Sequence, residues 1–472
     1  MDPFQRDPAS FRDPDAFIVR QENACYRILF RSYQPHYDQL ISSGLYDKLV
    51  SRFFLIAHSD ISKSAAGEPF LKGMESDIYK ILLPEQVPFI SYAYEWSFSQ
   101  LRDAALLTLD IELQAIEYGM MLKDANSYNI QFLNGSPVLI DLPSFEKVPE
   151  HYTWRAYKQF CEHFLGPLAL MSYTDIDIPA LLKQYMNGIP LAVTTSMLPF
   201  RAKLNPGLAI HLYLQNRYQK KAGQNQTQKD PGATNLSKAQ HKNIITQLRN
   251  TISNLKGGQE LSNWKNYYVD VSAADPEYFE KKKEAVSRIA GSLSPRNVWD
   301  IGANNGIFSF IAAKTAHSVF AMENDKNCLD AIYRFTKKEH LLNVVPVYAD
   351  VTNPTPGLGW NNSERKGLWN RLPLPDLTMA LAVIHHLVIT NGISLEMLAA
   401  FFSERSSHLL IEFISGEDPR VKFLQRNRES FFRFYTRDHF ENAFLKHYEI
   451  LERITLSDEK RFLYHMKRKS SD

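Results

Sequence analysis

The sequence predicts an α/β protein in which a doubly wound sheet, finished by an antiparallel hairpin, follows an α+β domain. From Val298 onward, apolar runs of strand length alternate with helix-length segments, the pattern of a mostly parallel sheet with helices on both faces. Within it, NVWDIGANNGIFSF (Asn297 to Phe310) turns from a strand into a helix through glycines. Between Gln215 and Ser237 the chain reads QNRYQKKAGQNQTQKDPGATNLS, with too few apolar residues to order itself. The expected division is therefore an N-terminal domain over 1–214, a polar linker over 215–237, and a C-terminal domain over 238–472 that begins with a helical extension.

In chain order, the leader MDPFQRDPASFRDPDAF is polar, without the apolar core of an export signal, and no later apolar run is long enough to span a bilayer. Ala16 to Phe30 and Gly44 to Phe54 have mixed strand and helix character. From Trp96 the pattern clears: Leu101, Ala105, Leu106, Leu109, Leu113 and Ile116 recur at helical spacing up to Gly119, one buried helix. IQF and PVLID then read as short strands joined by the turn Asn134-Gly135. Asp124, Asn129 and Asp141 follow the order of the catalytic loop and metal aspartate of kinase-like phosphotransferases, and Lys72 is a candidate phosphate lysine. The first domain thus has kinase-like features, and phosphotransfer is an alternative activity. Leu122 and Pro143 depart from that pattern and no Gly-rich loop precedes it, so a degenerate lobe is expected. In the purely structural alternative, Asn126, Ser127 and Asn129 form a hydrogen-bonded turn and Asp141 caps a strand end. Beyond the linker, Ile244, Ile245, Leu248, Ile252 and Leu255 line one face of a helix closed by Gly257-Gly258, a face that either domain could cover. The run Lys281 to Lys283 reads as a solvated helix face.

In the C-terminal domain strands are expected near 297–302, 317–323, 343–348, 376–383 and 408–414, with a final hairpin around Ser457 to Lys460. Right-handed crossovers place the C-terminal ends of the parallel strands on one rim, where ligands bind. Asp300 precedes the glycine turn, Glu323 ends the second strand, Asp350 follows the third, and His385 and His386 follow the fourth. Gly302 and Gly306 free the backbone for positive φ, and a helix from near Asn305 offers unpaired N–H groups. Asn304 and Ile307 stand where a dinucleotide site carries glycines. Acidic groups on the rim repel phosphate and suit a cationic nucleoside such as S-adenosylmethionine. Each rim residue also has a structural alternative: Asp300 as a cap, Glu323 with Asp325 as a helix N-terminus, the histidines as hydrogen-bonding groups at a strand corner. Their recurrence at successive strand ends favours a cofactor site.

The D-x-G-x-x-x-G turn of DIGANNGIFS resembles the first motif of class I S-adenosylmethionine-dependent methyltransferases, whose sheet is Rossmann-like. The resemblance runs from about Tyr267 to the C-terminus. It implies that Gly302, Ala303, Asn304, Asn305 and Gly306 contact the methionine portion with Asp300 in support, and that Glu323 takes the ribose hydroxyls. Asp350 and Val351 would lie at the adenine edge. Ala382 to His386 would close the site near the methyl group, with His385 or His386 as candidate general base. The whole chain is also similar to a group of bacterial two-domain methyltransferases, some named as host-specific nodulation proteins, through YEWSFSQLRDAALL, LKDANSYNIQF and IDLPSFE. No N-P-P-Y or D-P-P-Y segment follows the fourth strand, which separates the chain from adenine and glutamine-amide methylation. Phe431, Phe432, Phe434 and Tyr435 either roof an acceptor pocket or pack in the core.

Composition bounds the remaining classes. With 54 basic and 52 acidic residues, a formal charge of +2, the whole chain has no field that gathers nucleic acid or an anionic membrane. Cys25, Cys161 and Cys328 are too far apart for a disulfide framework or a zinc site, no metal is expected, and a cytoplasmic protein is. The expected function is methyl transfer from S-adenosylmethionine to a small-molecule or glycoconjugate acceptor. The alternatives are phosphotransfer in the first domain and cofactor binding without catalysis.

Overall fold

The computed structural model describes residues 5–21, 24–63, 77–149, 154–224, 237–257, 275–425, 434–457 and 460–470. The chain forms two units, Met1–Gly258 with Pro356–Arg371, and Gln259–Thr355 with Leu372–Asp472.

The first unit opens with the antiparallel strands β1 (Gln5–Arg6), β2 (Ala16–Gln21), β3 (Ala24–Phe30), β4 (His58–Asp60) and β5 (Ile78–Pro84), in the order β1-β2-β3-β5-β4. Phe17, Val19, Ile28, Ile78 and Ile81 form one buried cluster, and Ala16, Leu29 and Leu82 face the unit's main core. With apolar residues on both faces, these short strands lose the alternation by which a strand is read. Helix α1 (Phe98–Glu117) begins where Ser97 and Gln100 satisfy each other's main-chain N–H groups in a capping box. After β6 (Met120–Leu122), the hairpin β7 (Ile130–Leu133) to β8 (Ser136–Leu139) turns through Asn134 at φ 51° and Gly135 at φ 71°. Both are left-handed, as a two-residue hairpin turn requires. Strand β9 (Phe145–Lys147) then pairs with β6.

Two expectations about the linker change. Residues 215–224 form a helix, Gln215–Gln224, anchored where Asn216 donates to the Thr195 hydroxyl at 2.7 Å; residues 225–236 lie outside the described residues. Helix α2 (Lys238–Asn254), expected to open the C-terminal domain, packs on α1 in the first unit. Ile245, Leu248 and Ile252 join that unit's core, Arg249 pairs with Asp110 at 2.6 Å, and Lys238 and Lys242 bracket Glu117. Apolar and charge complementarity with α1 together determine where the helix belongs.

The second unit contains α3 (Pro276–Leu293), β10 (Asn297–Ile301), α4 (Ile307–Ala312), β11 (Ser318–Glu323), α5 (Lys326–Lys338), β12 (Val344–Tyr348), β13 (Leu377–Ala380), α6 (Leu395–Ser403), β14 (His408–Ile414), α7 (Arg437–Leu445), β15 (Tyr448–Ser457) and β16 (Arg461–Arg468). The sheet order is β12-β11-β10-β13-β14-β16-β15, parallel as far as β14, with β16 antiparallel to both neighbours. Val298, Val319, Val344, Leu377 and Leu410 share a core with α3 and α4. On the opposite face Phe413 meets Phe440 of α7 at 5.0 Å, so both faces are covered. The lysine run is split. Lys281 is exposed, but Lys282 is fully buried, 2.6 Å from Glu412 and 4.7 Å from the centre of the Phe308 ring. The helix turns its central lysine inward because a buried carboxylate and the Tyr278 hydroxyl receive it.

Candidate functional site

At the C-terminal ends of β10 to β13 the second unit holds a cleft of about 260 Å³. Of the residues singled out in the sequence, it is lined by Gly302, Asn304, Glu323, Asp350, Val351, Ala382 and His386. Asp300, Ala303, Asn305, Gly306 and His385 are not among its lining residues.

Asp300 acts from beneath. Its carboxylate accepts the Ser309 hydroxyl at 2.5 Å, tying the end of β10 to α4. Burial raises its pKa to about 6, against the downward pull of Ser309 and the Lys282 charge. The turn above is fully engaged: the N–H groups of Gly302 and Ala303 donate to the Met322 carbonyl at 3.0 Å, Asn304 N–H to Glu323 at 2.7 Å, and Gly306 N–H to the Ala303 carbonyl at 2.9 Å. The expectation of an open N–H donor at Asn305 is therefore corrected. Asn305 N–H is held by the Asn304 side chain, and α4 starts only at Ile307, behind Gly306 at φ 83°. Gly302, at φ 72°, abuts the segment that follows β13: a Cβ there would lie 3.1 Å from Val383 Cγ2.

Glu323 is nearly buried and accepts three main-chain N–H groups, from Asn304 on one oxygen and from Asn324 and Asp325 on the other. Burial raises its pKa while these donors lower it. Asp350 accepts the Thr352 N–H and hydroxyl on a single oxygen, at 2.8 and 2.6 Å. Across the cleft Ala382 takes the left-handed φ of 55°, unusual for a residue with a side chain and a mark of local constraint. His386 opens a π-helical turn, His386–Thr390, and burial lowers its pKa. His385 is buried with its ring 4.1 Å from that of His386. The sequence reading missed Met322, Leu381 and Leu387, which supply apolar wall, and Asn391, whose side-chain N–H donates to the His386 carbonyl at 3.1 Å. Asn391-Gly392 reads in sequence only as a turn. In the aromatic group, Tyr435 is buried and stacks on Phe413 at 5.1 Å, Phe434 is exposed, and Phe431 and Phe432 lie outside the described residues.

In the first unit the kinase-like residues do converge. Asn129 donates to the Ser144 hydroxyl at 2.9 Å, and Ser144 donates to Asp141 at 2.6 Å. Burial, then the nearby charge of Asp141, raises the pKa of Asp124. The other oxygen of Asp141 is taken by Arg27 at 2.7 Å, where a phosphotransferase aspartate would hold a cation. Among the described residues no group of three or more His, Cys, Asp or Glu is placed to hold a metal ion, and Lys72 lies outside them. No described helix is long and apolar enough to cross a membrane.

No family model matches the chain. Among solved structures, the bifunctional kinase-methyltransferase WbdD aligns at 14% identity and TM-score 0.29 over 40% of this chain and 38% of its own length. The N-methyltransferase NodS from Bradyrhizobium japonicum WM9, also solved with S-adenosyl-l-homocysteine, aligns at 13% identity and TM-score 0.31 over 42% of this chain and 99% of its own. Both scores are too low to bear on fold or function. The nodulation protein NoeA of Rhizobium meliloti (strain 1021) is 30% identical over 474 residues, 97% of this chain and 95% of that protein. With that similarity sustained over nearly the full length of both proteins, the chain belongs to the family of the nodulation protein NoeA.

Proposed function

We propose that the second unit is an S-adenosylmethionine-dependent methyltransferase acting on a small-molecule or glycoconjugate acceptor. The observation that carries this reading is the composition of the cleft: among the described residues its acidic groups are Glu323 and Asp350, no Lys or Arg lines it, and the glycine turn spends its N–H groups internally. Such a site disfavours a pyrophosphate and accepts a cationic nucleoside. The residues fit that group. An ionised carboxylate has about four acceptor sites, so Glu323 with its three N–H donors retains capacity for a ribose hydroxyl, and Asp350 retains its second oxygen. Val351 and Met322 offer apolar surface to a base.

When bound, the cofactor supplies an electrophilic methyl group on a sulfonium. The chain's part is to align the acceptor and keep water away, which Leu381, Leu387 and the constrained Ala382 serve. Of the two histidines, His386 lines the cleft. Its lowered pKa keeps the ring neutral at pH 7, so it can take a proton from an acceptor amine or hydroxyl. The phosphotransfer alternative gains no support, because Arg27 already neutralises Asp141.

Calorimetric titration of the full chain with S-adenosylmethionine tests the proposal; folded protein that binds none overturns it. Asp350→Ala is expected to weaken binding about tenfold, the value of one lost hydrogen bond to a charged group, with the melting temperature little changed. Glu323→Ala is expected to lose both binding and about 1–3 kcal/mol of stability, because it leaves buried N–H groups unpaired. Mass-spectrometric comparison of methylated metabolites and glycoconjugates with and without the protein then separates turnover from cofactor binding alone.

A further inference from the structure

Between Asp177 and Asp230 the sequence has no acidic residue and seven Lys or Arg, in a chain whose total charge is only +2. The middle of this stretch also carries an unusual share of exposed apolar surface. Among the described residues, six of the eighteen exposed large hydrophobic side chains fall within 197–218: Met197, Phe200, Leu204, Ile210, Leu214 and Tyr218. Phe200 and Leu204 are 73% and 72% exposed, well beyond the single scattered apolar residues that folded surfaces carry. Ile210, Leu214 and Tyr218 follow at steps of four residues along a continuous helical run. Cations are interleaved with them. Lys203 sits 5.5 Å from the Phe200 ring centre and 5.2 Å from that of Tyr213, Arg201 donates to the Tyr173 carbonyl at 3.0 Å, and Arg217 and Lys220 are exposed.

We infer that the first unit docks on an anionic lipid surface through this face. Apolar side chains flanked by Lys and Arg, with no carboxylate in the same stretch of sequence, have the composition of an interfacial anchor: the apolar groups enter the headgroup boundary and the cations pair with lipid phosphates. Long basic side chains lay their alkyl stems along apolar surface while the charge stays at the polar level. A second copy of the chain would set like charges against each other. A nucleic acid would leave Leu204, Ile210 and Leu214 with no aromatic surface to contribute to stacking. The near-zero charge of the whole chain does not oppose the proposal, because surface potentials act within about 8 Å at physiological salt.

Flotation of the full-length protein with vesicles of phosphatidylcholine alone, and of phosphatidylcholine with phosphatidylglycerol, tests it. Binding to the anionic vesicles is expected, with a loss on the order of tenfold or more at high salt and in the double variant Arg201→Gln/Lys203→Gln. The double variant Phe200→Ser/Leu204→Ser, at positions too exposed to matter for folding, is expected to abolish flotation at an unchanged melting temperature. Absence of flotation by the unaltered protein overturns the proposal, as does equal flotation of the apolar double variant. Size-exclusion chromatography adds an independent arm: a dimer that the Phe200→Ser/Leu204→Ser change dissolves would assign the face to a second copy and sink the lipid reading.

Discussion

At the scale of single residues, the glycine turn is held partly from the cleft, by Glu323 and the Met322 carbonyl, and partly from beneath it. Asp300 is the clearest case of the second, since its carboxyl is pushed up to about 6 by burial. A carboxyl whose folded pKa exceeds its unfolded value keeps its proton in the native state where the unfolded chain has lost it. Its contribution to stability therefore falls as pH rises from about 4 to about 6 and is level above. Asp300→Asn removes that titration. The difference in unfolding free energy between the parent and this variant is expected to move in the variant's favour across that window, and a flat difference in denaturant titrations at several pH values would contradict the assignment. Gly302→Ala probes the same turn from the other side. A positive φ costs an L-residue about 1–2 kcal/mol, and the new Cβ would press on Val383. Both stability and cofactor affinity are expected to fall, measurable by melting and calorimetry on one sample.

At the scale of elements, α2 ties into the first unit through Leu248, fully buried between Ile245 and Ile252. Leu248→Ala is expected to destabilise that unit by about 2–5 kcal/mol while leaving the affinity of the cleft for S-adenosylmethionine unchanged, a contrast that calorimetry and melting resolve together. The element also marks how far the sequence could be read. Its existence and apolar face followed from Ile244, Ile245, Leu248 and Ile252, but periodicity cannot say which surface covers that face. Only the match of Arg249 to Asp110 and of Lys242 to Glu117 does, and those pairs are more than a hundred residues apart. The strands of the parallel sheet were legible because strands buried on both faces read as apolar runs bounded by turns. In the cleft, the acidic residues at strand ends and the glycines stood out in the sequence. The apolar wall of Met322, Leu381 and Leu387 did not, because a leucine lining a cleft and a leucine in a core are the same letter. Lys282 went unrecognised for the related reason that a charge is read as solvated until its buried partner Glu412 is known.

At the scale of the whole molecule, the two units are not consecutive in the chain. The segment Pro356–Arg371 lies between two strands of the second unit's sheet, yet it belongs to the first. There Arg371 forks onto the buried carboxylate of Glu95 and onto the Ile90 carbonyl, with its guanidinium 4.4 Å from the centre of the Tyr92 ring. Arg365 covers Tyr128 at 4.2 Å, and Arg12 pairs with Glu364 at 2.8 Å. Arg371→Ala is expected to destabilise the first unit by about 3–5 kcal/mol, because Glu95 would keep a buried charge with no counterion; chemical denaturation of the full chain measures it. The same arrangement governs how the protein can be taken apart. A fragment stopped anywhere before residue 356 keeps the acid and discards the base, so the N-terminal half is expected to be insoluble when produced by itself. Trimming from the other end separates the same pairs, leaving Arg371 without Glu95 and Glu364 without Arg12 on a stranded sixteen-residue segment in the second half. The two units alternate along the chain, so a gene encoding either one alone needs a splice rather than a stop codon.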